Sequence, residues 1–132
     1  MSEDAPRRIQ ILVAEDTATG RQVIRNHLDH EGFELTFAED GAQAVAAAQS
    51  RDFDVVLMDI RMPVMDGLDA IRAIRADEGA RGKGRTPIVV VSANTDPEDV
   101  RTAMEAGADA HVGKPVSRMD VVNVVLEFAS RA

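Results

Sequence analysis

The sequence predicts an α/β fold in which a doubly wound, five-stranded parallel sheet carries helices on both faces. Short apolar runs alternate with helical patterns of about 10 to 15 residues along the chain, the rhythm of strand, crossover helix and next parallel strand. Three of those runs are continuously apolar, as strands covered on both faces must be. The third observation is where the runs stop. Acids, a serine and a lysine follow their ends, and open α/β sheets bind ligands beyond the carboxyl ends of their strands.

The first strand is read in IQILVAE (9 to 15), and Val23, Ile24, Leu28 and Glu31 mark its helix at helical spacing. ELTFAE (34 to 39) alternates in polarity, which marks a sheet edge; Ala42, Val45, Ala46 and Gln49 trace the second helix. DVVLMD (54 to 59) is a buried third strand that stops at Asp59. It passes through Pro63 to an Asp66-Gly67 pair, after which Leu68, Ile71 and Ile74 mark the third helix. EGARGKGR (78 to 85), with three glycines and three basic residues, reads as an exposed loop. Its GARGKG core follows a helix and lacks the Lys-Ser/Thr ending of a phosphate-binding loop. PIVVVS (87 to 92) is the fourth strand. TDPED then opens the fourth helix, with Asp96 placed to cap, Pro97 suited to the first helical position and two acids at the positive end of the dipole. AHVG (110 to 113) is short and reads as the second edge, and Val121, Val124, Val125 and Phe128 mark the fifth helix. Residues 1–8 read as an N-terminal extension and 9–130 as one domain.

Composition narrows the function. The 132 residues are 45% hydrophobic but only 3% aromatic, so the core must be built from aliphatic residues, alanine and methionine. Met58, Met62 and Met65 are accordingly read as packing residues. The net charge of −8 argues against direct contact with a nucleic-acid backbone. The absence of cysteine excludes disulfides, thiol nucleophiles and Cys-based zinc sites. The opening MSEDAPRR has no hydrophobic run and no stretch approaches about 18 apolar residues, so no membrane partner is expected and a cytoplasmic location is.

The strand ends supply Glu15 and Asp16 after the first strand, Asp59 on the third, Ser92 on the fourth and Lys114 just past the fifth. Singly, each has an ordinary explanation as a cap, a turn hydroxyl or a solvated charge. Together they converge on one rim. Two carboxylates about 5 Å apart repel by roughly 3 kcal/mol at an effective dielectric near 20, so gathered acids call for a cation. All-oxygen ligands favour Mg²⁺, with Mn²⁺ possible, and Mg²⁺ shares its shell readily with phosphoryl oxygens. A carboxylate beside such an ion and a lysine is placed to attack phosphorus.

In this order and spacing, ILVAED, VVLMDIRMPVMDG, VVVSAN and HVGKP resemble the receiver domain of two-component response regulators, from about Ile9 to Phe128. The resemblance implies a flavodoxin-like sheet in the order 2-1-3-4-5. It implies Asp59 as acceptor of a phosphoryl group from a phosphohistidine. Glu15, Asp16 and Asp59, with the Arg61 carbonyl, would hold Mg²⁺. Ser92, the Ala93 amide and Lys114 would meet the phosphoryl oxygens, with Pro115 cis. The implied partners are a sensor histidine kinase or histidine phosphotransfer domain, and a downstream protein on the face of helix 4, strand 5 and helix 5. No enzymatic activity is implied beyond the domain's own phosphorylation and dephosphorylation. RTPIVVVSA resembles receivers fused to hybrid sensor kinases. Glu15 departs from the commoner aspartate, and position 111, usually Tyr or Phe in the family, is His111, the switch candidate with Ser92. His27 and His30, one turn apart, read as a solvated helix face. An aspartyl phosphatase would want D-x-D where this chain has DTA (16 to 18), and a flavin carrier would want a Ser/Thr-rich loop and stacking aromatics. The remaining alternative is an interaction module of receiver fold that works without phosphorylation.

Overall fold

A computed structural model describes residues 8–129. In chain order the elements are β1 (Ile9–Ala14), α1 (Ala18–His27), β2 (Phe33–Ala38), α2 (Gly41–Ser50), β3 (Val55–Asp59), α3 (Gly67–Arg81), β4 (Ile88–Ser92), α4 (Pro97–Ala106), β5 (Ala110–Gly113) and α5 (Arg118–Ala129). The strands form one parallel sheet in the order β2-β1-β3-β4-β5, with Ala14 paired to Met58, Asp59 to Val91 and Ser92 to Gly113. The sequence-read edges, β2 and β5, are the edges. The extension read over 1–8 lies, apart from Arg8, outside the described residues, as does the domain end at 130.

Burial on both faces explains the unbroken apolar runs. Along each central strand alternate side chains enter opposite cores. Leu12, Val56, Met58, Ile88 and Val90 pack beneath α2, α3 and α4, with Ile71 and Ile74 of α3; Met62 and Met65 pack against this cluster. Ile11, Val13, Leu57, Val89 and Val91 pack beneath α1 and α5, with Ile24, Val121, Val125 and Phe128. All three central strands thus carry side chains into both layers.

Four local readings need correction. The first helix stops at His27: Leu28 leaves helical geometry, and the chain must turn so that the Gly32 carbonyl can accept from the Ile9 amide at 2.8 Å. Glu31 and His30 therefore lie beyond the helix. The stretch from 78 is not all loop, because α3 runs to Arg81 and ends on Gly82 in the left-handed region. Glu78 is buried, accepting from Arg75 Nη1 at 2.8 Å and from the Thr86 amide at 2.8 Å. Asp96 occupies the N-cap position of α4, but its side chain accepts no cap bond. His27 is half-buried and bonded to Val116, which removes it from the solvated face.

Three features shape the turn after β3. Gly67 brings the start of α3 so close that a Cβ there would collide with the Asp59 carbonyl oxygen. Asp66 caps α3 by accepting from the Asp69 amide at 2.9 Å, which accounts for the Asp-Gly pair. Val64, 83% exposed, holds φ at 68°, a costly region for a β-branched residue.

Candidate functional site

Because all the strands run parallel, their carboxyl ends share one rim, and Glu15, Asp16, Asp59, Ser92 and Lys114 are gathered along it. Asp59 closes β3 and is 7% exposed. Its Oδ2 accepts from Lys114 Nζ at 3.1 Å and its Oδ1 from the Arg61 amide at 3.3 Å. The same ammonium donates to Glu15 Oε1 at 2.9 Å, so one cation stands between two buried carboxylates. The peptide bond from Lys114 to Pro115 is cis.

The carboxylates of Glu15, Asp16 and Asp59 offer oxygens within 4.8 Å of one another, a group able to hold a metal ion. Burial pushes the Asp59 carboxyl above its ordinary value, with the Glu15 charge adding to that, and Lys114 only partly offsets it. Burial acts on Glu15 the same way. There the bonds from Lys114 and the Thr17 amide, with the lysine's charge, outweigh it, leaving the carboxyl below its usual range. Lys114 is pushed down by burial but held above the ordinary lysine value by the two carboxylates. The site is an acidic pocket that one lysine neutralises incompletely.

Ser92 closes β4 and is buried, its Oγ accepting from the Asn94 amide at 3.0 Å; its carbonyl receives the Lys114 amide at 2.9 Å. Ala93 is exposed beside Asp59 and lines the same cavity as Glu15 and Lys114. His111 sits on β5 opposite Val90, which places its side chain toward the α4 layer. It is half-buried, and its Nε2 is buried without a hydrogen-bond partner among the described residues.

What holds Glu15 is not visible in the sequence. Thr17 donates to Glu15 Oε2 from its amide at 3.0 Å and from its hydroxyl at 3.1 Å, while its Oγ1 caps α1 by accepting from the Gly20 amide. Arg21 donates to the Glu15 carbonyl at 3.0 Å. Gly20 leaves room for the glutamate, since a Cβ there would collide with its carboxyl carbon. The visible signal was the Thr-x-x-Gly start of the helix, which reads as a cap and not as a carboxylate holder. Asp16, weighed as that cap, leaves the capping to Thr17.

The model of the response regulator receiver domain family matches residues 11–126. The chain belongs to that family. Among curated proteins, this receiver domain is 36% identical over 132 residues to the sensor protein GacS of Pseudomonas syringae pv. syringae, covering all of this chain and 14% of GacS. It is 33% identical over 123 residues to the sensory/regulatory protein RpfC of Xanthomonas campestris pv. campestris, covering 93% of this chain and 17% of RpfC. The chain thus spans under a fifth of the length of these relatives. Among solved structures, the receiver domain of the sensor histidine kinase PA1611 from Pseudomonas aeruginosa PAO1 superposes with a TM-score of 0.83 at 34% identity, covering 93% of this chain and 98% of that one. That structure has a magnesium ion coordinated in its active site cleft.

Proposed function

We propose that this receiver domain takes a phosphoryl group from a phosphohistidine onto Asp59. The observation that carries the reading is the Lys114 ammonium bonded to both Asp59 and Glu15 at an acidic rim. An aspartate oxygen attacks phosphorus, the phosphorus–nitrogen bond of the donor breaks, and the electron pair leaves on the imidazole nitrogen. The attacking carboxylate and the phosphoryl group are both anionic, so the residues around Asp59 must supply positive charge and donors.

The donor set fits Mg²⁺, because it is all oxygen, its oxygens lie within 4.8 Å of one another, and burial already raises the Asp59 carboxyl. Glu15, Asp16, Asp59 and the Arg61 carbonyl would hold the ion. When bound, it supplies positive charge against the attacking and transferring oxygens. Lys114 turns from its carboxylates toward one phosphoryl oxygen. The Ser92 hydroxyl, which accepts from the Asn94 amide, has a proton to donate to another, and the amide of the exposed Ala93 serves the same group. The domain promotes only its own phosphorylation and hydrolysis.

A sensor histidine kinase or histidine phosphotransfer domain is the donor by this reading, in line with the sensor proteins it resembles. Drawing Ser92 toward a phosphoryl oxygen shifts the end of β4. The half-buried His111, with an unpaired ring nitrogen on the α4 side, is then free to move inward and alter the α4, β5 and α5 face for a downstream protein, in a cytoplasmic setting. The competing reading, an interaction module that needs no phosphate, makes no use of the lysine between two acids.

The test is incubation with Mg²⁺ and acetyl phosphate, scored by intact mass. Wild type gains one phosphoryl group and Asp59→Asn gains none. Equal labelling of both proteins, or none of either, overturns the assignment.

A further inference from the structure

α1 is tied to the site at both of its ends. At its start Thr17 and Arg21 hold Glu15. In its last turn His27 places Nε2 3.0 Å from the carbonyl oxygen of Val116, across 89 residues of sequence. A carbonyl can only accept, so Nε2 carries the proton, and the ring can donate whether it is neutral or charged.

Val116 follows Pro115 and stands two residues past Lys114. On its amino side Lys114 is fixed by the hydrogen bond that its backbone amide donates to the Ser92 carbonyl. On the other side Pro115 has no amide hydrogen to give, and the loop meets α1 through Val116 and His27. The cavity of the site, about 470 Å³ and lined by Glu15, Asp59 and Lys114, extends between α1 and this loop past Val23, Ile24 and Val116. Val116 packs its side chain against the cluster that holds Ile24 and Leu28, and the bond from His27 fixes its carbonyl, so the segment after Lys114 is held at both side chain and backbone.

We infer that His27 is a positioning residue for Lys114. By holding the Val116 carbonyl it fixes the segment after the lysine, and with it the place of the ammonium between Glu15 and Asp59. The inference rests on the reading of Asp59 as phosphoacceptor, since the lysine's placement matters for reaction only if a phosphoryl oxygen arrives. His27 touches none of the reacting groups. Its effect must pass through Lys114, whereas Glu15 is held from the opposite end of the helix.

The experiment measures phosphorylation of Asp59 by acetyl phosphate at saturating Mg²⁺, together with Mg²⁺ affinity, in four proteins: wild type, His27→Leu, His27→Gln and Lys114→Ala. A fifth combines His27→Leu with Lys114→Ala. His27→Leu should slow labelling roughly three- to tenfold, the span of one hydrogen bond's net contribution, and leave Mg²⁺ affinity unchanged. His27→Gln, whose amide can donate from nearly the same place, should restore most of the rate. In the Lys114→Ala background His27→Leu should add nothing, because the group it positions is gone. If leucine disturbs folding, His27→Asn, too short to reach Val116, gives the same comparison. A wild-type rate in the leucine or asparagine variant overturns the inference. So does an equal slowing in the Lys114→Ala background, or a loss of Mg²⁺ affinity that parallels the rate. Absence of labelling in wild type overturns the phosphoacceptor reading beneath it instead.

Discussion

Lys114 links the acids of the site, and its removal separates two effects. Glu15 and Asp59 would lose the ammonium they share, leaving two buried carboxylates to repel each other. We expect Lys114→Ala to retain slow phosphorylation when Mg²⁺ is present, because the metal still offsets part of the charge, but to lose the structural response. Amide shifts with the phosphoryl mimic beryllofluoride check this. Wild type should show changes through residues 93–118, and Lys114→Ala should show changes at the metal pocket only. Shifts identical to wild type would make the lysine a bystander. The same spectra on His111→Ala test the switch, since identical shifts with and without the ring would remove His111 from the route. Single residues of this kind were legible because charge at a strand end is unusual. Thr17 and Gly20 were not, because what they do for Glu15 depends on where a folded side chain lies.

At the scale of elements, the turn from β3 into α3 sets where Asp59 sits. The Gly67 amide donates to the Ile60 carbonyl at 2.7 Å, and the space beside its α-carbon is filled by the Asp59 backbone. Gly67→Ala should therefore destabilise the fold by about 1–3 kcal/mol, the usual cost of forcing extra volume into a packed region, and displace Asp59. Urea unfolding and the labelling rate read the two effects. A variant unchanged in both would show that the turn relaxes freely. The central strands were legible because burial on both faces keeps their inner runs apolar, and the edge strand β2 because Glu34 and Thr36 alternate with apolar residues along its half-buried length. The end of α3 was not: three glycines and three basic residues suggested a loop, whereas Arg75 and Thr86 supply buried Glu78 with partners that only the fold brings near. The short α1 has a similar origin, since the pairing of Ile9 with Phe33 dictates where the chain must turn.

For the whole molecule, the site opposes folding in one respect and supports it in two. Glu15, its carboxyl lowered, contributes stability above its ordinary value that is lost as pH falls through the lowered one. Lys114, raised, contributes below its ordinary value and loses that contribution as pH climbs through the raised one. Asp59 acts in the other direction: the native state holds its proton more tightly than the unfolded chain, so stability declines as pH rises from the ordinary aspartate value through the raised one. Without metal, Asp59→Asn should thus melt at a higher temperature than wild type near neutral pH and should lack that decline. Mg²⁺ should raise the wild-type Tm more than that of the variant, because binding to the native state alone stabilises it. Melts across pH with and without Mg²⁺ check this, and an Asp59→Asn protein less stable than wild type at neutral pH without metal would contradict it.

The most direct test of the account is where the phosphoryl group resides. An acyl phosphate, unlike a phosphoester, is reduced by borohydride to the alcohol, so a phosphorylated aspartate is converted to homoserine and can be located by peptide mass. After treatment with acetyl phosphate and Mg²⁺, this conversion is expected at Asp59 and at no other acid, including Glu15, Asp16 and Asp54. Conversion at another carboxylate, or a stable phosphoester with Asp59 unchanged, would contradict it.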